Sequence, residues 1–108
     1  MTEETGKEKI SKKFGEDDNI IFIGAKPFMN YVTGVMMQFS RGKKEVLIRA
    51  RGKFMSRAID VAEVVKKRPI ENRKIEIQNI KTNSEEFENK EGKKINVSTI
   101  EISLVSKE

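Results

Sequence analysis

The segment Ile20-Ile21-Phe22-Ile23-Gly24-Ala25-Lys26-Pro27-Phe28-Met29-Asn30-Tyr31-Val32 changes structural period within a few residues. Ile20–Ile23 is a short apolar run ended by Gly24, which predicts a buried strand. Pro27 suits the first turn of a helix, where its missing N–H costs nothing. Phe28, Met29, Val32, Val35, Met36 and Phe39 then recur along one helical face, and Gly42 is the expected stop. Gly34 lies inside that helix and weakens it by about 1 kcal/mol relative to alanine. Close packing against a neighbour is the expected reason for it.

The pattern continues on both sides. Val46-Leu47-Ile48 marks a second strand over Glu45–Ala50. A strand–helix–strand unit of this length predicts a parallel pair with a right-handed crossover. A second helix is expected from Phe54 to Arg68, burying Met55, Ala58, Ile59, Ala62 and Val65, with Val61 and Val64 widening that face. Lys66-Lys67-Arg68 suits the negative pole of the helix, and Pro69 stops it. Ile75 and Ile77 alternate with Glu76 and Gln78, predicting a third strand over Lys74–Lys81. Residues 83–94 are polar and read as a loop or long hairpin tip. Ser98, Ile100, Ile102 and Leu104 alternate with Thr99, Glu101 and Ser103 as a fourth strand with one buried face. The order is βαβαββ. The expected class is α/β in the broad sense, an α+β two-layer sandwich of a mixed four-stranded sheet with two helices on one face. Residues 1–18, rich in Lys, Glu and Asp, are expected to form a flexible tail before one domain over residues 19–106.

Composition narrows the chemistry. The chain has 108 residues, no histidine and no cysteine. The usual zinc sites and His-assisted nucleophiles therefore cannot be built. No pattern places two carboxylates in one pocket, so no catalytic residue, metal or cofactor is expected and the chain does not read as an enzyme. No apolar run approaches the roughly 20 residues of a membrane span, and the N-terminus lacks the apolar core of a signal peptide. A cytoplasmic location without membrane attachment is expected.

Net charge is +5, unevenly spread. Residues 19–74 hold 13 Lys or Arg against four acids, while the segments before and after are each net acidic. Lys26 precedes Pro27, Arg49 and Arg51 end the second strand, and Lys53 and Arg57 open the second helix. Parallel strands place both strand-to-helix junctions at one sheet edge. Solvated surface charge is the competing reading, but cations at helix N-termini oppose the dipole, so stability alone does not explain them. A polyanion would relieve their mutual repulsion. Taken alone, Gly52 reads as a turn residue, Tyr31 as a partly buried aromatic, and Lys66, Lys67 and Arg68 as helix-end charges. The chain contains neither GxxxxGK[ST] nor GxGxxG.

These segments resemble a known family. Gly24-Ala25-Lys26-Pro27-Phe28-Met29-Asn30-Tyr31-Val32 is similar to the Gly-Lys-Lys-Pro-x-Met-Asn-Tyr-Val segment of the Alba family of archaeal chromatin proteins. Arg49-Ala50-Arg51-Gly52 with Ser56-Arg57-Ala58-Ile59-Asp60 resembles its second signature, and Val97–Ile102 its last strand. The resemblance covers residues 19–106. It implies the same βαβαββ order, a homodimer, and binding of double-stranded DNA, with RNA bound by many members. Association with the chromosome follows from it. Lys26, Arg49, Arg51, Lys53 and Arg57 fall at, or conservatively replace, the contact positions of the family, and Asn30 and Gly52 lie within the matched motifs. The apolar face of the second helix fits a subunit interface.

Three departures qualify the match. Ala25 stands where the family often has a second lysine, so one phosphate contact and its control by acetylation are not expected. Pro69-Ile70 replaces an aromatic used between dimers, so side-by-side packing of dimers is not implied. The hairpin tip carries Glu85, Glu86, Glu88 and Glu91, which a minor groove would repel, while Lys93 and Lys94 on its shaft remain candidate phosphate contacts. Weaker and more selective binding than in a fully basic relative is expected. The second junction, with its full set of cations, is expected to carry more of it. The alternatives are an RNA-binding protein of a ribonucleoprotein and a protein–protein adaptor using the acidic hairpin tip and the tail.

Overall fold

The computed structural model describes residues 19–107. The expected N-terminal tail lies outside them. Strand β1 (Ile20–Phe22) leads through a loop to helix α1 (Phe28–Ser40), then β2 (Glu45–Arg51). One 3₁₀ turn (Gly52–Phe54) enters helix α2 (Met55–Lys66), and the long strands β3 (Lys74–Glu88) and β4 (Lys94–Lys107) complete the chain. The sheet order is β1-β2-β4-β3, with β1 and β2 parallel and the other pairs antiparallel. Two helices on a mixed four-stranded sheet give the expected α+β architecture.

The core forms where the helices meet the sheet. Val32, Val35 and Phe39 from α1 and Ala58, Val61, Ala62 and Val65 from α2 are buried with Val46, Ile48, Ile75, Ile102 and Leu104. Val46, Ile48 and Ala50 pair in register with Leu104, Ile102 and Ile100, so one side of the sheet is continuous apolar surface. The intervening Leu47, Arg49 and Arg51 point to the other side, opposite Ser103, Glu101 and Thr99.

Several expectations are corrected. β1 is an edge strand rather than a fully buried one. Ile23 is buried, whereas Phe22 turns outward and is 67% exposed. In α1, Met29 is largely exposed, and Tyr31 is buried rather than partly so. In α2, Val61 takes the core position expected for Ile59, which is 43% exposed. The helix also ends at Lys66 rather than Arg68.

The largest correction is the hairpin. Residues 83–88 continue β3, each paired with a residue of β4 from Asn83↔Thr99 to Glu88↔Lys94. Only residues 89–93 form the tip. There Asn89 Oδ1 accepts the backbone N–H groups of Glu91 and Lys93, and Gly92 adopts a φ of 84°. The β3 half of this ribbon is exposed along its length, so no apolar alternation betrays it, whereas Ile95 and Val97 on the β4 half are half-buried. A bulge between Ile77 and Asn79 also shifts the alternation by one residue, placing Ile80 opposite Ile102 on the helix-bearing side.

Gly34 is not required by packing. A Cβ there would meet Ile21 Cδ1 at 3.8 Å, an ordinary van der Waals contact. The G34A substitution is therefore expected to stabilise the fold by about 0.5–1 kcal/mol, read as a raised urea midpoint with an unchanged slope.

Candidate nucleic-acid interface

The parallel pairing of β1 and β2 brings both strand-to-helix junctions to one edge, as their spacing predicts. Arg57, in the first turn of α2, donates from Nη2 to the carbonyl of Lys26 at 2.9 Å and so ties the second junction to the first. Its Nε is buried without a partner. Part of this guanidinium thus holds the two loops together.

Tyr31 shapes the first junction. Its hydroxyl oxygen accepts the backbone N–H groups of Gly24 and Lys26, each at 3.0 Å. A phenol anchored in the core by α1 therefore holds the loop in front of Pro27. Those two amides are then unavailable to a ligand, leaving the Lys26 side chain as the loop's cationic contribution. Neither helix has a side-chain cap or an acidic residue in its first turn, so no carboxylate of the helices occupies their positive ends.

At the second junction, Gly52 begins the 3₁₀ turn with a φ of 60°, a left-handed conformation that disfavours a side chain. Beyond this turn Lys53 is exposed and Phe54 packs against the core, with Lys53 Nζ 5.5 Å from the centre of the Phe54 ring. Arg49 and Arg51 are not unpaired, contrary to the expectation of a fully cationic junction. Arg49 Nε meets Glu101 Oε1 at 2.7 Å, and Lys81 approaches the other Glu101 oxygen at 3.6 Å. Arg51 Nη1 meets Glu85 Oε1 at 2.8 Å. The hydrogen bond from Arg49 is the largest influence holding the Glu101 carboxyl below the ordinary carboxylate range, against the opposing effect of burial. Among the described residues, Lys26 and Lys53 have no carboxylate partner.

The candidate residues therefore separate into groups. Lys26, Asn30, Arg49, Arg51, Gly52, Lys53 and Arg57 gather around the two joined loops. Lys93 and Lys94 lie at the hairpin end. Lys94 is five residues along β4 from Thr99, the partner of Arg51, or about 17 Å at strand rise. Lys81 and Glu101 also contact this cluster although their sequence positions did not single them out, and Tyr31 and Glu85, read from sequence only as a partly buried aromatic and as part of the acidic hairpin tip, hold the first loop and pair with Arg51. The two carboxylates reach the arginines only through strand register, across 34 and 52 residues of chain. No group of metal-ligating side chains occurs among the described residues, and none of their helices is long and apolar enough to cross a membrane.

Comparison with known proteins gives a consistent result. The Alba family model matches residues 19–84. The "DNA/RNA-binding protein Alba" of Methanocella arvoryzae is 51% identical over 88 residues, covering 82% of this chain and 90% of that protein. "DNA/RNA-binding protein Alba 1" of Archaeoglobus fulgidus is 46% identical, covering 83% of this chain and 98% of its own. The solved structure of Alba from Thermoplasma volcanium superposes with a TM-score of 0.72 at 41% identity, over 81% of this chain and 99% of that one. With the signature loops, the strand order and these matches in agreement, this chain belongs to the Alba family.

Proposed function

We propose that this protein is a non-enzymatic nucleic-acid-binding protein that docks the phosphate backbone of double-stranded DNA on the two joined loops. The observation that carries this reading is the Arg57–Lys26 hydrogen bond, which holds two cationic junctions as one surface. The names of the relatives support it, since they describe DNA/RNA-binding proteins. Lys26 and Lys53 neutralise phosphates directly, with Asn30 beside them on the first turn of α1. Arg49 and Arg51 join once phosphate displaces their carboxylates. Such contacts position a duplex without reading its bases. Unlabelled duplexes of unrelated sequence are therefore expected to compete for a labelled one within about 10-fold of each other at fixed salt, a spread that leaves room for the greater selectivity expected of a less basic surface. A strong preference for one sequence would contradict backbone docking.

The acting species is a homodimer in this reading, associated with the chromosome. Ile59 on α2 and Ile80 on β3 are 43% and 50% exposed, and Ile80 lies on the helix-bearing side of the sheet. Half-buried Met55, Val64 and Ile77 add to this apolar surface. A second copy covering it would remove that surface from water. The I59D substitution is expected to convert dimer to monomer in sedimentation equilibrium at micromolar protein while preserving the helical circular dichroism spectrum. An unchanged mass would place the interface elsewhere.

A further inference from the structure

Phe22 is the most exposed large apolar side chain among the described residues, at 67%. It stands on the open side of the sheet, in register with Arg49. The helices cover only the opposite side, so no element of the fold is packed there to receive it. Around it the surface is polar and charged, with Glu85 and Glu101 interleaved among a larger number of cations. Phe22, Arg49, Arg51, Lys53, Lys81 and Asn83 line one groove. Arg49 is held in place by Glu101. Asn83 uses its Oδ1 to accept the Ser84 N–H, which leaves its side-chain N–H donors for other partners. Thr99, paired with Asn83 across the strands, also lines the groove and offers a hydroxyl.

An exposed aromatic face bordered by cations and hydrogen-bonding groups fits a ligand with a flat π-surface joined to an anion. Nucleotides have that composition. In a duplex the base faces are stacked internally and cannot reach Phe22, whereas loops and bulges of RNA leave bases free to stack on protein aromatics. The ribose 2′-hydroxyl both donates and accepts, matching Asn83 and Thr99.

We propose that Phe22 is a stacking platform for one unpaired base of RNA, with Lys53 facing an adjoining phosphate and Thr99, Lys81 and Asn83, two to three strand spacings or about 10–14 Å across the sheet, facing the sugars and phosphates of neighbouring nucleotides. This site rests on the nucleic-acid-binding reading and shares Lys53 with the duplex phosphate contacts, but the Phe22 ring takes no part in those contacts.

The test compares three probes of equal length at one salt concentration: an RNA hairpin with an unpaired loop, a fully paired RNA, and a DNA hairpin of the same sequence. The F22A substitution is expected to lower affinity for the looped RNA about 5- to 100-fold, with paired RNA within twofold of the parent protein. F22Y, which keeps the ring, is expected to retain looped-RNA binding. Because the chain has no tryptophan, F22W introduces a single indole whose emission is expected to be quenched by the looped probe and not by the paired one. Unchanged binding of the looped RNA by F22A would overturn the proposal, as would an equal loss for paired RNA. An equal loss for the DNA hairpin would overturn the assignment to RNA. A change in protein mass on F22A would show the ring to be covered by a second copy instead. If the parent protein binds no probe, the nucleic-acid reading itself fails; if it binds the paired RNA but F22A changes nothing, only the stacking site fails.

Discussion

The combined K26A and K53A substitutions are expected to weaken binding of duplex DNA by roughly 10- to 100-fold at about 0.1 M salt, irrespective of sequence. These two cations lack carboxylate partners among the described residues, so phosphate binding does not first have to break an ion pair. In a dimer the variant removes four such charges. The slope of log K against log salt should therefore become shallower by about 3.6, at roughly 0.9 per phosphate contact. Both side chains are exposed, so the urea midpoint should move little. R51A is the less informative change, because the contact of Arg51 with Glu85 must be broken before Arg51 can meet a phosphate. Fluorescence anisotropy across a salt series measures affinity and slope together.

The E85Q substitution, alone and combined with E101Q, is expected to act in the opposite direction. Glu85 and Glu101 compete within the chain for the arginines that a phosphate would use. The Arg51–Glu85 pair is largely exposed and contributes at most about 1 kcal/mol to the fold, so E85Q should be tolerated. Affinity for duplex is expected to rise severalfold with E85Q and about 10-fold with both changes, with a steeper salt dependence. Glu101 carries a further signature. Its lowered folded pKa means the carboxylate is favoured in the folded protein. The resulting stability is complete above the ordinary carboxylate range and is lost as pH falls through the lowered value. E101Q should therefore flatten the acid limb of stability measured by urea unfolding.

Much of the fold was legible because burial imposes periods. The shift from Ile20–Ile23 to the helical spacing of Phe28–Phe39 marked β1 and α1, and Ile100, Ile102 and Leu104 marked the buried side of β4. The outer half of β3 was not legible. Thr82 to Glu88 are exposed along their length, and strand residues held by backbone pairing alone leave no hydrophobic trace. The exchange of Ile59 for Val61 in the core reflects the broad apolar face of α2, whose rotation depends on packing against β2, β3 and β4. At the site, residue type and junction position located the cations. Their partners could not be located that way. Whether Arg49 meets Glu101, or Tyr31 reaches the amide of Gly24, depends on register and side-chain direction rather than on local spacing.

The central claim is that joined cationic junctions dock a polyanion through its phosphates. The most direct measurement is the affinity of the full chain for one duplex across a range of salt concentrations. A linear fall of log K with log salt, with a slope of about −3.6 or steeper, is predicted from Lys26 and Lys53 in each half of a dimer. A flat dependence would contradict the account.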